Sequence, residues 1–269
     1  MRRAPSAPGF PLLCGLLALC AALAVPPPAA ELPEPARVPG EDLGPAGHNC
    51  RFWALVGHDY PAGLLDEHLR NPGATTLRSL GAYNQDGWGI VSFPSDSALR
   101  RALLAPLARR GRPRTAEPDD PNFAAAVEEL GNLRPRAILG HVRAATSGVR
   151  WIPNPHPFVR DGWAFAHNGG IAGDLLLDLL EGDDPDFLTQ NLPEYAGPGA
   201  PSQHIDSEPY FLWVPKHGRL HPELSRTEAI RQAAAAVHER APEARINFIL
   251  TRGDTLWALR SYDGDEADP

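Results

Sequence analysis

The segment CRFWALVG, at residues 50–57, constrains the fold most, because it is apolar on both faces of a predicted strand. Phe52 and Ala54 alternate with Trp53 and Leu55, and successive residues of a strand point to opposite sides of a sheet. A strand that is apolar on both sides needs protein cover on both sides. We therefore predict a sheet packed between other layers, with a first strand that begins at about residue 50.

The chain before this strand has a different composition. Residues 1–24 have the features of a secretory signal: Arg2 and Arg3, a short apolar stretch, and a small-x-small cleavage pattern that ends at Ala24. Residues 25–49 are rich in Pro, Ala and acidic residues, which is typical of an extended linker or pro-segment. We therefore expect an exported protein, periplasmic or secreted, with its folded domain at 50–269.

Cys50 is the one cysteine that is left if the signal is removed at Ala24, because Cys14 and Cys20 lie within the signal. A single cysteine in an exported chain cannot form an internal disulfide. Its thiol is then buried, paired with another chain, or chemically active. A lipid anchor at Cys20 is left open, and membrane association is expected only in that case.

Size and charge narrow the class of protein. The 269 residues include 43% hydrophobic residues, enough for one large domain with a core, and the formal net charge is −8. The acidic balance argues against a nucleic-acid partner. The candidate metal-ligating residues lack the compact ligand spacing of common zinc sites, so no metal is predicted. These residues are His141, His156, His167 and Asp206.

Two further apolar runs, at 137–139 and 163–166, are predicted strands that lead into polar residues. Scaffolds commonly place binding and catalytic groups at the ends of buried strands. From this segment alone, the Asn-Gly-Gly sequence could also form a simple turn, although the functional interpretation is favoured. The polar residues in question are His141, Arg143, Thr146, His167, Asn168, Gly169 and Gly170.

Other elements follow from local patterns. We predict helices over 121–130 and 171–181, a loop over 182–204, and a β-hairpin near Gly253. Two further helices are predicted to have Ser207 and Ser225 as capping residues.

A cysteine at the start of a folded domain can supply both a nucleophile and a general base if it becomes the N-terminal residue. If the preceding chain is removed, the α-amino group of Cys50 has a pKa of roughly 7.7–8.0, suitable for a general base near neutral pH. Asn168 and Gly169 could offer a side-chain amide and a backbone N–H to an oxyanion. Arg143 could pair with a substrate carboxylate in a bidentate manner, and Asp206 with a substrate ammonium group.

Six motifs in chain order resemble those of class II glutamine amidotransferases, which are amino-terminal-nucleophile (Ntn) hydrolases with a cysteine nucleophile. The resemblance extends from Cys50 to about Ser261 and is greatest to the small, stand-alone bacterial members. It implies an α+β fold, a four-layer αββα sandwich of the Ntn-hydrolase type, over 50–269. The motifs are CRFWALVG, NQDGWGI, GHVRAATSG, NPHPF, FAHNGGI and DSEPYFLW.

The resemblance also implies roles for individual residues. Cys50 would be the nucleophile, and Asn168 with Gly169 would form the oxyanion hole. Arg143 and Asp206 would hold the carboxylate and α-amino groups of glutamine, and no cofactor is needed. The residues that would line or brace the rest of the pocket are Thr146, Trp88, Asn154 and His156.

The expected reaction is hydrolysis of the side-chain amide of glutamine, or of a γ-glutamyl amide, through a Cys50 thioester. Ammonia or an amine would be released, and an ammonia-accepting synthase would have to be a separate chain. In the family the cysteine follows only the initiator Met, whereas 49 residues precede it here. An exported, non-catalytic binding protein of the same fold, with Cys50 unprocessed, is therefore the alternative.

Overall fold

The computed structural model describes most of the chain from Cys50 onward. The predicted signal peptide, the linker and Cys20 lie outside the described residues, and so do Thr146 and Asn154. Of residues 107–111 only the backbone is described. The described residues are 50–57, 60–61, 63–71, 76–81, 84, 86–93, 107–111, 120–144, 156–194 and 205–261.

The first sheet has four antiparallel strands in the spatial order β1-β4-β2-β3. Phe52 and Ala54 of β1 pack toward the second sheet, while Trp53 and Leu55 pack toward helices. The prediction that this strand is covered on both faces is confirmed, although β1 lies at the edge of its sheet. The strands are β1 (Arg51–Val56), β2 (Trp88–Phe93), β3 (Leu107–Gly111) and β4 (Ala137–Val142).

The second sheet is also antiparallel, in the spatial order β5-β6-β7-β8. The predicted hairpin is present, and Gly253 takes the left-handed backbone conformation that its turn requires, with φ of 65°. The strands are β5 (Phe158–Arg160), β6 (Trp163–Gly170), β7 (Arg245–Arg252) and β8 (Thr255–Leu259).

Helices flank both sheets. Within the described residues, none of them is both long and apolar enough to cross a membrane. The helices are a π-helical turn (Asp66–Arg70), α1 (Leu77–Gly81), α2 (Pro121–Leu133), α3 (Gly173–Glu181), α4 (Phe187–Gln190), α5 (Ser207–Leu220) and α6 (Arg226–Arg240).

Local helix signals were predicted with mixed success. Ser225 does cap α6, because its Oγ accepts a hydrogen bond from the Glu228 N–H at 3.2 Å. Ser207 does not cap α5: the capping position belongs to Asp206, and the Ser207 hydroxyl bonds to a histidine instead. The short helix α4 lies in the segment that was predicted to be a loop.

Three apolar clusters define four layers. One lies between the first sheet and helices α1 and α2, the second between the two sheets, and the third between the second sheet and helices α3, α5 and α6. This arrangement is the four-layer αββα sandwich, an α+β fold, that was predicted. Representative residues of the three clusters are Ile90, Phe123 and Ile138; Val91, Leu139 and Ala166; and Phe165, Tyr210 and Val237.

Candidate active site

Strand pairing brings Cys50 and Arg143 together. Arg51 pairs with Val142 in the β1–β4 ladder, so extending the ladder by one residue places Cys50 beside Arg143. Cys50 lies two residues before Phe52 and therefore faces the second sheet, as Phe52 does. The Cys50 Sγ donates a hydrogen bond to the carbonyl oxygen of Ala144 at 3.4 Å. The thiol is thus fixed at the open end of the β1–β4 pair.

Both backbone polar groups of Arg143, its N–H and its carbonyl, form hydrogen bonds with the segment that precedes β2. The Arg143 N–H donates to the Gly87 carbonyl at 2.8 Å, and the Asp86 N–H donates to the Arg143 carbonyl at 2.9 Å. Gly87 has φ of 116°, which favours glycine at this position. The Asp-Gly pair of the NQDGWGI motif therefore fixes the position of Arg143, which is itself buried.

Asp206 reaches the same region from the second helical layer. It directly precedes α5, and its Oδ2 accepts a hydrogen bond from the Ile171 N–H at 2.8 Å. Ile171 directly follows β6, so this bond ties the start of α5 to the end of that strand. The Asp206 carboxylate is buried and held in one orientation by a backbone donor.

The Cys50 thiol is sensitive to both of these charged residues. Burial raises the pKa of the Cys50 thiol, the Asp206 charge adds to the rise, and the Arg143 guanidinium opposes it. The backbone hydrogen bond at Ala144 lowers the pKa more than the Arg143 charge does, but by less than burial raises it. A positive and a negative side chain thus lie within electrostatic reach of one half-buried thiol.

Asn168 and Gly169 lie at the end of β6. Ala164 and Ala166 belong to the layer between the sheets, so the alternation of the strand directs Asn168 toward the first sheet as well. Both β1 and β4 contact β6. Asn168 and Gly169 are half-buried, so they are accessible beside the strands that carry Cys50 and Arg143.

Gly169 has a packing reason of its own. A Cβ atom at this position would lie 1.7 Å from the carbonyl oxygen of Arg245 and 2.8 Å from Nε2 of His167. No side chain fits there, because β7 passes too close. The glycine is therefore required by the fold, whether or not its N–H also binds an oxyanion.

Two histidines pack behind the site. The rings of His141 and His156 stack with centroids 4.3 Å apart, and Phe158 contacts His156 edge-on at 4.6 Å. Burial, with a smaller contribution from the Arg143 charge, lowers the pKa of His141 to about 3. The neutral His141 ring hydrogen bonds with the backbone carbonyl of His167 and so links β4 to β6. His156, predicted to line or brace the pocket, occupies a bracing position against His141.

Trp88 lies on the other side of the first sheet. It is 1% exposed, its Nε1–H donates to Oδ2 of Asp120 at 2.7 Å, and Phe123 packs edge-on against its ring at 5.1 Å. Its neighbours belong to the cluster beneath α2, on the face opposite to Cys50. We therefore assign Trp88 to the core of the first sheet and not to the pocket predicted from the sequence.

Some contacts of the site were missed by sequence reasoning. Ser207 contacts both His167 and Asp206, and the Ile171 N–H binds Asp206. Only the adjacency of Asp206 and Ser207 in the DSEPYFLW motif hinted at a shared role. Among the described residues, no group of three or more His, Cys, Asp or Glu side chains is arranged to hold a metal ion.

An αββα sandwich with a cysteine at the start of an edge strand is the Ntn-hydrolase type of fold. Residues 70–265 match the family model of class II glutamine amidotransferases. The chain belongs to the class II glutamine amidotransferase family. The matched range begins after β1, so Cys50 itself lies before it.

Individual relatives match shorter parts of the chain. A Haemophilus influenzae protein named "Putative glutamine amidotransferase" is 29% identical over 136 residues, which are 47% of this chain and 40% of that protein. The amidophosphoribosyltransferase of Lacticaseibacillus casei is 30% identical over 116 residues, 40% of this chain and 53% of that enzyme. The chain thus matches about half or less of the length of these relatives.

A solved structure aligns with part of the chain. The glutamine aminotransferase class-II domain protein from Silicibacter pomeroyi aligns with 64% of this chain and 65% of its own length, at 20% identity and a TM-score of 0.40.

Proposed function

We propose that this protein is a cysteine-dependent amidohydrolase that releases ammonia from the side chain of glutamine, or an amine from a γ-glutamyl amide. The observation that carries the proposal is the position of Cys50 beside Arg143 at the end of the β1–β4 pair, with the anchored Asp206 carboxylate within electrostatic reach of the same thiol. A free α-amino acid presents one carboxylate and one ammonium group, which pair with a guanidinium and a carboxylate respectively. The substrate would be held by these groups while its side-chain amide approaches Cys50.

In the proposed first half-reaction, the free α-amino group of Cys50 takes the thiol proton, and the sulfur attacks the amide carbon of the substrate. The resulting oxyanion accepts hydrogen bonds from the Asn168 side chain and the Gly169 N–H. The Cys50 ammonium group then gives its proton to the departing nitrogen. Ammonia leaves, a thioester forms, and the α-amino group is neutral again.

In the second half-reaction, the same amine takes a proton from water as the water attacks the thioester carbonyl. The tetrahedral intermediate expels the sulfur, the proton returns to it, and glutamate is released. If a separate synthase captured the ammonia, the same site would serve amidotransfer. The amidophosphoribosyltransferase relative is consistent with such a partner.

We also propose that residues 1–49 are removed before the protein becomes active and that residues 1–24 direct its export. With Asn49 still joined to Cys50, the backbone nitrogen is an amide and cannot act as a base. The raised pKa of the half-buried thiol then leaves it protonated near neutral pH. Cleavage before Cys50 supplies the missing base.

The test combines the intact mass of the exported protein with its ammonia release from glutamine and from a γ-glutamyl amide. The proposal predicts a chain that begins at Cys50 and turns over at least one of these substrates. Cys50→Ser is the matched variant, because the two side chains are similar in volume, and it should fold normally but turn over substrate far more slowly. Addition of a nucleophilic amine distinguishes transfer from hydrolysis.

Failure has a definite form. Suppose that the exported chain still carries Asn49 and that the Cys50→Ala variant binds glutamine as tightly as the parent protein does. The protein would then be a binding protein and not an enzyme. A chain that begins at Cys50 but releases nothing from either substrate would contradict the proposed substrate class.

A further inference from the structure

His167 is buried on the helix-facing side of β6, behind the proposed site. Its Nε2 lies 3.0 Å from the backbone carbonyl oxygen of Arg245. A carbonyl oxygen only accepts hydrogen bonds, so Nε2 carries a proton. Burial lowers the pKa of His167 more than the nearby Asp206 charge raises it. Near neutral pH the ring is therefore uncharged, and its Nδ1 is an acceptor.

Ser207 lies between this acceptor and the carboxylate. Its Oγ is 2.9 Å from Nδ1 of His167 and 3.4 Å from Oδ1 of Asp206. A hydroxyl group has one proton to donate, and both the bare ring nitrogen and the carboxylate oxygen lie within hydrogen-bonding distance of it. The Ser207 hydroxyl thus donates a three-centre hydrogen bond, with its shorter branch to His167 and its longer branch to Asp206.

The remaining bonds fix this pair to the framework of the fold. His167 is anchored to β7 through Arg245, and Oδ2 of Asp206 is anchored to the Ile171 N–H at 2.8 Å. Nδ1 of His167 lies 4.0 Å from the same Oδ2 atom, so a charged ring would form an ion pair with Asp206. The neutral ring avoids that competition with a substrate ammonium group.

We propose that His167, acting through Ser207, is a positioning residue that orients the Asp206 carboxylate toward the α-ammonium group of the substrate. The inference rests on the proposed function, because Asp206 acts on an ammonium group only if an amino acid binds here. It predicts a specific pattern: loss of the Ser207 hydroxyl weakens recognition of the α-ammonium group and leaves chemistry at the amide unchanged.

The experiment compares glutamine with glutaramate, its analogue without the α-amino group, on the processed protein. For Ser207→Ala, KM for glutamine should rise by about tenfold, as expected for a lost hydrogen bond near a charged group. The kcat for glutamine and the kcat/KM for glutaramate should change by less than about twofold on the same basis. Ser207→Thr, which keeps the hydroxyl, should restore the glutamine KM, and His167→Gln should resemble Ser207→Ala.

Ser225→Ala is the matched control, because the Ser225 hydroxyl accepts its hydrogen bond from the Glu228 N–H at the start of α6. It removes the same hydroxyl from the start of a neighbouring helix and should leave both KM values unchanged. If Ser207→Ala instead lowers kcat/KM for both substrates equally, its role is structural and the inference is wrong.

Equilibrium binding separates this inference from the proposed function. Titration calorimetry with glutamate and glutarate needs no turnover. If the protein prefers glutamate but releases no ammonia, the proposed chemistry fails, and the loss of that preference in Ser207→Ala still supports the inference. If the protein binds glutamate no more tightly than glutarate, Asp206 does not receive an ammonium group and the inference is overturned.

Discussion

The sulfur of Cys50 lies 3.4 Å from the carbonyl oxygen of Ala144, two residues beyond the end of β4. This hydrogen bond uses the thiol proton and holds the sulfur beside Arg143. Burial raises the pKa of the same thiol by more than the backbone hydrogen bond at Ala144 and the Arg143 charge lower it, so its neutral form is favoured. The uncleaved chain therefore has a nucleophile that is positioned but protonated.

The first prediction concerns thiol reactivity. In the uncleaved chain, Cys50 should react with iodoacetamide at pH 7.5 more slowly than free cysteine, because only the thiolate is nucleophilic and the raised pKa reduces its fraction. The rate should increase as the pH rises above 9. Mass spectrometry of the peptide that contains Cys50 measures this separately from Cys14 and Cys20. A rate equal to that of free cysteine at pH 7.5 would contradict the protonated state.

The second prediction concerns the carboxylate clamp. Arg143→Lys should raise KM for glutamine by about tenfold or more with a smaller change in kcat, because an ammonium group cannot reproduce the bidentate fork of a guanidinium. The backbone bonds to Asp86 and Gly87 should keep the strand in place. Steady-state kinetics test this, with Arg136→Lys as the control.

Arg136 lies just before the other end of β4 and pairs with the exposed Asp254 at 3.6 Å. Its replacement by Lys should leave KM unchanged. If Arg143→Lys were as silent as Arg136→Lys, the substrate carboxylate would have to bind elsewhere.

The layers and the strand faces could be predicted from the sequence, because alternation is a local property. Phe52 and Trp53 identify the two covered faces of β1 without any knowledge of their neighbours. The Trp88 side chain could not be assigned in this way, since its partner Asp120 lies 32 residues away. Trp88 was predicted to be a pocket residue because it lies within a motif. Its side chain instead packs between the first sheet and α2, where it donates its hydrogen bond to Asp120.

The orientation of Asp206 was equally inaccessible to sequence reasoning. Its donor, the Ile171 N–H, is 35 residues away and is a backbone group that no residue type reveals. The Ser207 hydroxyl was expected to cap its own helix, the common local use of such a group. The buried acceptor on His167 takes it instead, because tertiary packing places that acceptor within 2.9 Å.

The third prediction separates two residues that sequence reasoning treated as a pair. Asn168→Ala should lower kcat by about 10²–10³-fold, the usual cost of a lost oxyanion donor, and the half-buried position should leave folding intact. Gly169→Ala should instead destabilise the protein by about 3 kcal/mol or more, since the new Cβ overlaps the Arg245 carbonyl.

Urea unfolding and kcat, measured on both variants, distinguish these outcomes. Normal stability of Gly169→Ala would mean that β7 can move away from β6 at this point. A normal kcat for Asn168→Ala would mean that the side-chain amide of Asn168 does not belong to the oxyanion hole.

The fourth prediction concerns acid stability and His141. The pKa of His141 is lowered to about 3 in the folded protein, from an ordinary 6.5, because the ring is buried. Between these pH values the unfolded chain binds a proton that the folded chain excludes, so stability falls as the pH drops below 6.5. The contribution approaches about 1.4 kcal/mol for each pH unit. His141→Gln loses this group, so its stability deficit relative to the parent protein, measured by urea unfolding, should shrink between pH 6.5 and 4.5. A deficit that stays constant over that range would mean that His141 is protonated within the fold.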